Sequence, residues 1–284
     1  MNQIKLKLND LNYFVFDLDG TLLNTDHKIS PFNLEQITRI KQANKTIFIA
    51  SGRPYYMFLN IIKQLDIQTN VISCNGAIIY NPQQKEVISH QKIFHESAKY
   101  IFDILVKNQA TFVLYSTYKM FRYKVNSTSK WFDWLDHIND QLPLDEKFDV
   151  EDINDPEKFN FDDYPVIKFL VVFNEMDKKQ LNKILDAISF LNDIYTVRSQ
   201  EGIFDIMPQN INKGNALADF AKANVLDLNQ TLVFGDAEND LSMFAKAKYS
   251  VAMNQAKKEI KSKAKFITNS NNEDGVGKFL EKLK

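Results

Sequence analysis

The chain has a single cysteine, Cys74, in 284 residues, which excludes an intramolecular disulfide. Arginine is almost as scarce: Arg39, Arg53, Arg122 and Arg198 are the only four, and lysine supplies the other basic side chains. Glycine (8) and proline (7) are too few for a low-complexity or collagen-like chain. No charge of either sign is in excess, with 35 basic against 36 acidic side chains and a formal net charge of −1. General nucleic-acid binders carry a basic surplus, so none is expected here. Long apolar runs are also missing. The longest, Val166 to Phe173, is interrupted by Lys168 and is far too short to span a bilayer. Met1 to Asp10 mixes Lys, Asn and Asp with apolar residues and lacks the apolar region of a signal peptide. A cytoplasmic protein with no membrane and no nucleic-acid partner is expected. N-x-T matches at Asn44, Asn126 and Asn229 are then chance occurrences in an Asn-rich chain.

What is present is the material of a folded core: 44% hydrophobic and 12% aromatic residues. The length suits two domains, or one domain with a large insert. Short apolar runs at 13–16, 46–50 and 71–74 read as buried parallel strands. Helix-spaced residues at 31–44 and 55–65 separate them, and Ser30-Pro31 is a good helix start. This alternation predicts an α/β fold of βαβ units. From 83 to 203 the sequence turns aromatic-rich and irregular, with helices expected at 98–108, 129–142 and 177–191 and a loop at 145–163. Strand–helix alternation returns from 204. The expected architecture is a doubly wound, Rossmann-like parallel-sheet core (1–82 and 204–284) with an inserted α+β cap domain (83–203).

Four stretches carry chemistry. Asp17-Leu18-Asp19-Gly20 follows the first strand, where open α/β sheets bind ligands. Two carboxylates one residue apart are costly without a cation, and magnesium takes carboxylate, carbonyl and phosphate oxygens. Ser51-Gly52-Arg53-Pro54 follows the second strand and offers a hydroxyl, a flexible backbone and a helix start to an anion; the bland reading is a helix cap. Lys213-Gly214 opens a helix, where a lysine neutralises phosphate as a point charge or is a solvated surface residue. Gly235-Asp236-Ala237-Glu238-Asn239-Asp240 adds carboxylates at another strand end, or caps the next helix.

Taken in order, these stretches and the turn Asn75-Gly76-Ala77 resemble the haloacid dehalogenase superfamily of phosphohydrolases. More narrowly they resemble its Cof-type branch, whose cap lies between the second and third motifs. The resemblance implies a phosphatase acting on small phosphorylated metabolites such as sugar phosphates. It implies Asp17 as nucleophile and Asp19 as acid and base. It implies Mg2+ held by Asp17, the Asp19 carbonyl and Asp236, with Asp240 supporting that shell. Leu18, Ser51, Gly52, Arg53, Asn75, Lys213 and Asn239 would hold the phosphoryl group. The second acid, Asp19, favours phosphoryl transfer over dehalogenation. A phosphomutase and a non-catalytic ligand-binding or regulatory protein stay open as alternatives. Other residues receive plain readings: Cys74 packs at a strand end, the four histidines are surface or loop residues, and Trp131, Phe132 and Trp134 are core.

Overall fold

A computed structural model describes residues 6–124 and 129–284. Met1 to Lys5 and the Asn126 match lie outside the described residues. The strands in chain order are β1 (Tyr13–Phe16), β2 (Thr46–Ile49), β3 (Val71–Ser73), β4 (Ile78–Asn81), β5 (Glu86–His90), β6 (Phe112–Tyr115) and β7 (Met120–Tyr123). They continue as β8 (Val150–Asp152), β9 (Lys168–Val172), β10 (Ile194–Gln200), β11 (Ile203–Pro208), β12 (Thr231–Gly235), β13 (Tyr249–Ala252) and β14 (Phe266–Ile267). The helices are α1 (Pro31–Gln42), α2 (Leu59–Gln64), α3 (His95–Lys107), α4 (Lys130–Asp140), α5 (Lys178–Ile188), α6 (Lys213–Lys222), α7 (Leu241–Lys246), α8 (Lys258–Lys261) and α9 (Gly275–Glu281).

The first sheet is parallel, in the order β14-β13-β12-β1-β2. Its strands alternate between two apolar layers: Phe14 and Phe16 face one cluster, Val15 and Phe48 the other. Both faces are therefore covered, as an all-parallel sheet requires. The chain leaves β1 toward β2 on one side and later returns to β12 on the other. The carboxyl ends of β1 and β12 thus flank a topological switch point, the place where such sheets bind ligands. Phe16 is level with both Phe234 and Ile49, so the loops after β1, β12 and β2 emerge at one height. The expected α/β core is present.

The second sheet has the order β10-β11-β9-β6-β7-β8 and is antiparallel except for the β7–β8 pair. Side chains alternate across it. Phe112, Leu114, Phe169, Val171, Phe204 and Ile206 pack under the helices of one face. Val113, Tyr115, Leu170, Val172, Ile203 and Met207 join the cluster that continues into the first sheet. By the same parity Lys168 and Asp205 face the first sheet.

Several expected elements differ in detail. The helix expected at 55–65 is a 3-10 turn (Tyr55–Met57) and then α2, because Phe58 leaves helical backbone at φ −139°. The loop expected at 145–163 contains β8. Strand pairing also changes elsewhere than at 82 and 203: β5 pairs with β4 beside the core, and β11 still belongs to the second sheet. Among the described residues no helix is long and apolar enough to cross a membrane.

Candidate active site

Asp17 is the first residue beyond β1, and its N–H donates to the Phe234 carbonyl at 3.2 Å, which extends the sheet by one bond. The residue is 5% exposed. Lys213, the first residue of α6, is fully buried and donates from Nζ to Asp17 Oδ1 at 2.6 Å and to Asp240 Oδ1 at 2.7 Å. Asn212 caps α6 by accepting from the Asn215 N–H, which fixes where Lys213 enters. The other oxygen of Asp240 accepts from the N–H groups of Asp236 and Ala237 at 2.9 and 3.0 Å. Asp240 therefore shapes the loop that presents Asp236. Gly20 lets the loop after β1 pass beside that carboxylate: its φ is +72°, and a Cβ there would lie 2.8 Å from Asp236 Cγ. Thr21 Oγ1 donates to Asp236 Oδ1 at 3.2 Å.

Asp17, Asp236 and Asp240 each bring an oxygen within 4.8 Å of the others. Burial and then the charge of Asp240 push the Asp17 carboxyl up to about 7, against the pull of Lys213. Burial, Asp17 and Asp240 likewise raise Asp236 well above the ordinary carboxylate range. One lysine does not balance three clustered acids, two of them buried. With both Asp240 oxygens taken by protein donors, Asp17 and Asp236 are the pair left to face a cation. An all-oxygen donor set of this kind fits a hard divalent metal ion.

Asp19 stands apart from that cluster. Arg53 donates to both its oxygens, from Nε to Oδ2 at 2.7 Å and from Nη2 to Oδ1. Burial alone would raise the Asp19 carboxyl, but the Arg53 charge, with hydrogen bonds from His27 and Arg53, holds it well below its usual range. Arg53, expected at the phosphoryl group, is thus engaged by Asp19. Ser51 Oγ, buried, accepts from the Arg53 N–H at 3.1 Å. Asn75 has a left-handed backbone (φ 56°) and accepts at Oδ1 from Asn239 Nδ2 at 2.9 Å. Leu18 is buried. The structure brings Asp17, Asp19, Gly52, Arg53 and Asn239 to one chamber of about 40 Å³. Cys74 is buried as expected, and burial pushes its thiol up to about 12.

The family model for haloacid dehalogenase-like hydrolases matches residues 14–280. The chain belongs to that family. A Bacillus subtilis 5-amino-6-(5-phospho-D-ribitylamino)uracil phosphatase is 29% identical over 280 residues, covering 94% of this chain and 96% of the relative. A second B. subtilis phosphatase is 27% identical over 287 residues, covering 96% and 100%. The solved structure of a B. subtilis haloacid dehalogenase-like hydrolase superposes with a TM-score of 0.81 at 27% identity, covering 95% of this chain and 99% of that one. The expected Cof-type membership and phosphatase class are borne out by these matches.

Four residues of this hydrolase that reach the site carry other readings in the sequence. Lys168, 2% exposed, donates to the Gly52 carbonyl at 2.9 Å and lies 3.0 Å from Asp205 Oδ1, off the hydrogen-bonding direction. Asp205, fully buried, accepts at Oδ2 from Asn75 Nδ2 at 2.9 Å. Lys168 breaks an apolar run, and that interruption is the sequence signal for a buried ion. Asp205 sits inside Phe204-Asp205-Ile206-Met207 and gives the same signal. The expectation that Trp131 and Trp134 are core is corrected. Phe132 and Leu135 fill the interior side of α4, and both tryptophans line the chamber beside Asp17 and Asp19.

In metal-free protein at pH 8, Asp236→Asn raises Tm by at least about 2–4 °C, the shift that ~1 kcal/mol produces in a chain of this size. A carboxyl raised in the folded state costs stability as pH climbs above its unfolded value near 3.8, so the gain fades toward pH 4. Added divalent cation reverses the order, stabilising the wild type more than the variant. Thermal melts at both pH values check this; equal gains at pH 4 and pH 8 contradict it. Lys168→Met leaves Asp205 with Asn75 alone and costs about 3–5 kcal/mol in urea unfolding, the range for breaking a buried pair. A loss under about 1 kcal/mol contradicts the buried-pair account.

Proposed function

We propose that this hydrolase is a magnesium-dependent phosphatase of small phosphorylated metabolites, working through an aspartyl-phosphate on Asp17. The observation that carries this reading is the buried carboxylate of Asp17, held by Lys213 at a switch point beside Asp236, and opening into a chamber roofed by the second sheet and α4. Asp17, Asp236 and the Asp19 carbonyl would hold Mg2+, which would supply charge neutralisation to the reaction. Lys213 fixes the direction of the Asp17 carboxylate and adds a cation that needs no rearrangement during the reaction. Ser51, the Leu18 and Gly52 backbone and Asn239 supply further donors.

Asp17 attacks phosphorus, and Asp19 protonates the leaving oxygen; Asp19 then takes a proton from the water that attacks the phosphorylated Asp17. Asp19 can carry that proton only when the Arg53 clamp loosens. An incoming phosphate monoester offers Arg53 a second anion, so substrate arrival and release of Asp19 are linked. The chamber of about 40 Å³ has room for a few waters, each needing roughly 10–15 Å³, and not for a sugar phosphate. Substrate entry therefore needs the cap to move. A wider cavity of about 840 Å³ adjoins the chamber across Trp131 and Trp134 and includes Asp133, Glu175 and Glu201. Three carboxylates against the single Lys130 on its wall leave it net negative and disfavour a leaving group with further negative charge, and a lidded cavity disfavours polymers. We place the chain crossings of the cap at the ends of β5 and β11, where strand pairing changes.

The test is inorganic phosphate release from a panel of phosphorylated metabolites. Wild type releases phosphate with Mg2+, stops with chelator, recovers with Mg2+ and works poorly with Ca2+, which loosens the in-line geometry. Asp17→Asn, folded by circular dichroism, loses at least about 10³-fold in turnover. Near-normal release by folded Asp17→Asn protein refutes the nucleophile. Isomerised phosphate without free phosphate replaces the reading by a phosphomutase.

A further inference from the structure

His27 lies in the loop between β1 and α1, under cap helix α4. Trp134 Nε1 donates to His27 Nε2 at 2.6 Å. An indole nitrogen only donates, so His27 Nε2 is the ring nitrogen without a proton. The ring proton is therefore on Nδ1, 3.5 Å from Asp19 Oδ1. Arg53 Nη2 is 3.2 Å from the same Nδ1, but Arg53 already donates to Asp19 through Nε and Nη2. Two donors thus lie side by side and share Asp19 as acceptor. The ring of Trp134 covers both, with its centroid 4.9 Å from that of His27 and 5.6 Å from the Arg53 guanidinium carbon. The contact crosses from cap to core, so it exists only when the cap is seated.

We propose that Trp134 and His27 form a latch through which the seated cap orients Asp19: Trp134 fixes the tautomer and rotation of His27, and His27 fixes the carboxylate. Both act as positioning residues: His27 touches Asp19 from outside the chamber, and Trp134, whose ring forms part of the chamber wall, acts on Asp19 through His27. Packing alone accounts for an aromatic on α4 at this place. It does not account for an indole N–H aimed at an imidazole nitrogen whose other nitrogen faces the acid–base carboxylate. With the cap lifted, Nε2 loses its donor, the ring is free to turn, and Asp19 keeps Arg53 alone. The acid–base group is then properly held only beneath a closed cap, which ties proton transfer to closure. This inference rests on the proposed function for the role of Asp19, and not for the geometry of the latch.

The experiment has two arms. Nitrogen NMR of histidine-labelled protein reads the tautomer directly, with His27→Asn identifying the signal. Wild type shows His27 protonated at Nδ1, and Trp134→Phe, which keeps a ring but removes the donor, shifts it toward protonation at Nε2. Wild type protonated at Nε2, or a tautomer unchanged in Trp134→Phe, overturns the latch. The second arm reads the first-turnover burst on two esters. With an alkyl phosphate, whose leaving group needs a proton, Trp134→Phe and His27→Asn each slow the burst roughly 10-fold. With a nitrophenyl phosphate they slow it less than about 3-fold. The double variant is no slower than the slower single, because both act on one contact. Additive losses, or equal losses on both esters, overturn the coupling. A wild type that turns over neither ester refutes the phosphatase reading, and the tautomer arm still decides the latch.

Discussion

One buried ammonium organises this molecule. Lys213 Nζ is shared between Asp17 and Asp240, with no exposed surface on the lysine. Its removal would leave two buried carboxylates facing a third, a situation that costs about 3–5 kcal/mol per broken pair. The sheet makes the arrangement unavoidable. Parallel pairing of β1 with β12, with Phe16 level with Phe234, puts the residues that follow them side by side. Tyr195 Oη donates to the Ile211 carbonyl just before α6, so the chain returning from the cap is tied down where it delivers Lys213. Asp240 then spends its second oxygen on the loop that holds Asp236. The result is an acid cluster with more negative charge than Lys213 offsets, an arrangement whose charge balance fits a divalent cation.

Among the described residues, polar contacts from the second sheet and from α4 reach different parts of this centre. The pair of Lys168 and Asp205 holds the Gly52 carbonyl and, through Asn75, Asn239. It therefore sets the donors that would surround a phosphoryl group. Trp134 reaches Asp19 by way of His27. Gly52 and Asn239 on one side of the small chamber, and Asp19 on the other, are thus tied to the second sheet and to α4. A buried ion pair contributes geometric specificity more than net stability, and this one fixes the Gly52 carbonyl and Asn75.

Much of the core was legible. Four-residue apolar runs ending in acids or Ser-Gly identify β1, β2 and β12 and the side of the sheet that carries chemistry. The Ser30 cap of α1 is where Ser30-Pro31 put it, accepting from Asn33. The cap was less legible because its strands have one face on each of two apolar layers, so polar–apolar alternation is lost. Strand β5, Glu86 to His90, was missed because its mostly exposed residues carry no apolar run; β4 was missed although Ile78-Ile79-Tyr80 is apolar, because it follows the Asn75-Gly76-Ala77 turn so closely. Trp131 and Trp134 share helical spacing with the buried Phe132 and Leu135, and spacing alone does not say which side of α4 meets a cavity. Arg53 was expected at the phosphoryl group, and its place on Asp19 follows from three-dimensional proximity that no spacing encodes.

The central claim is that the carboxylate held by Lys213 is the group that takes the phosphoryl. Rapid quenching of enzyme with a phosphate ester labelled at phosphorus, followed by borohydride reduction and peptide mapping, reads this directly. The account predicts a label that hydroxylamine removes, on the peptide containing Asp17, with Asp17 converted to homoserine by reduction. A label on Asp19, on a histidine or on Ser51, or turnover with no covalent label under conditions that slow the second step, would contradict it.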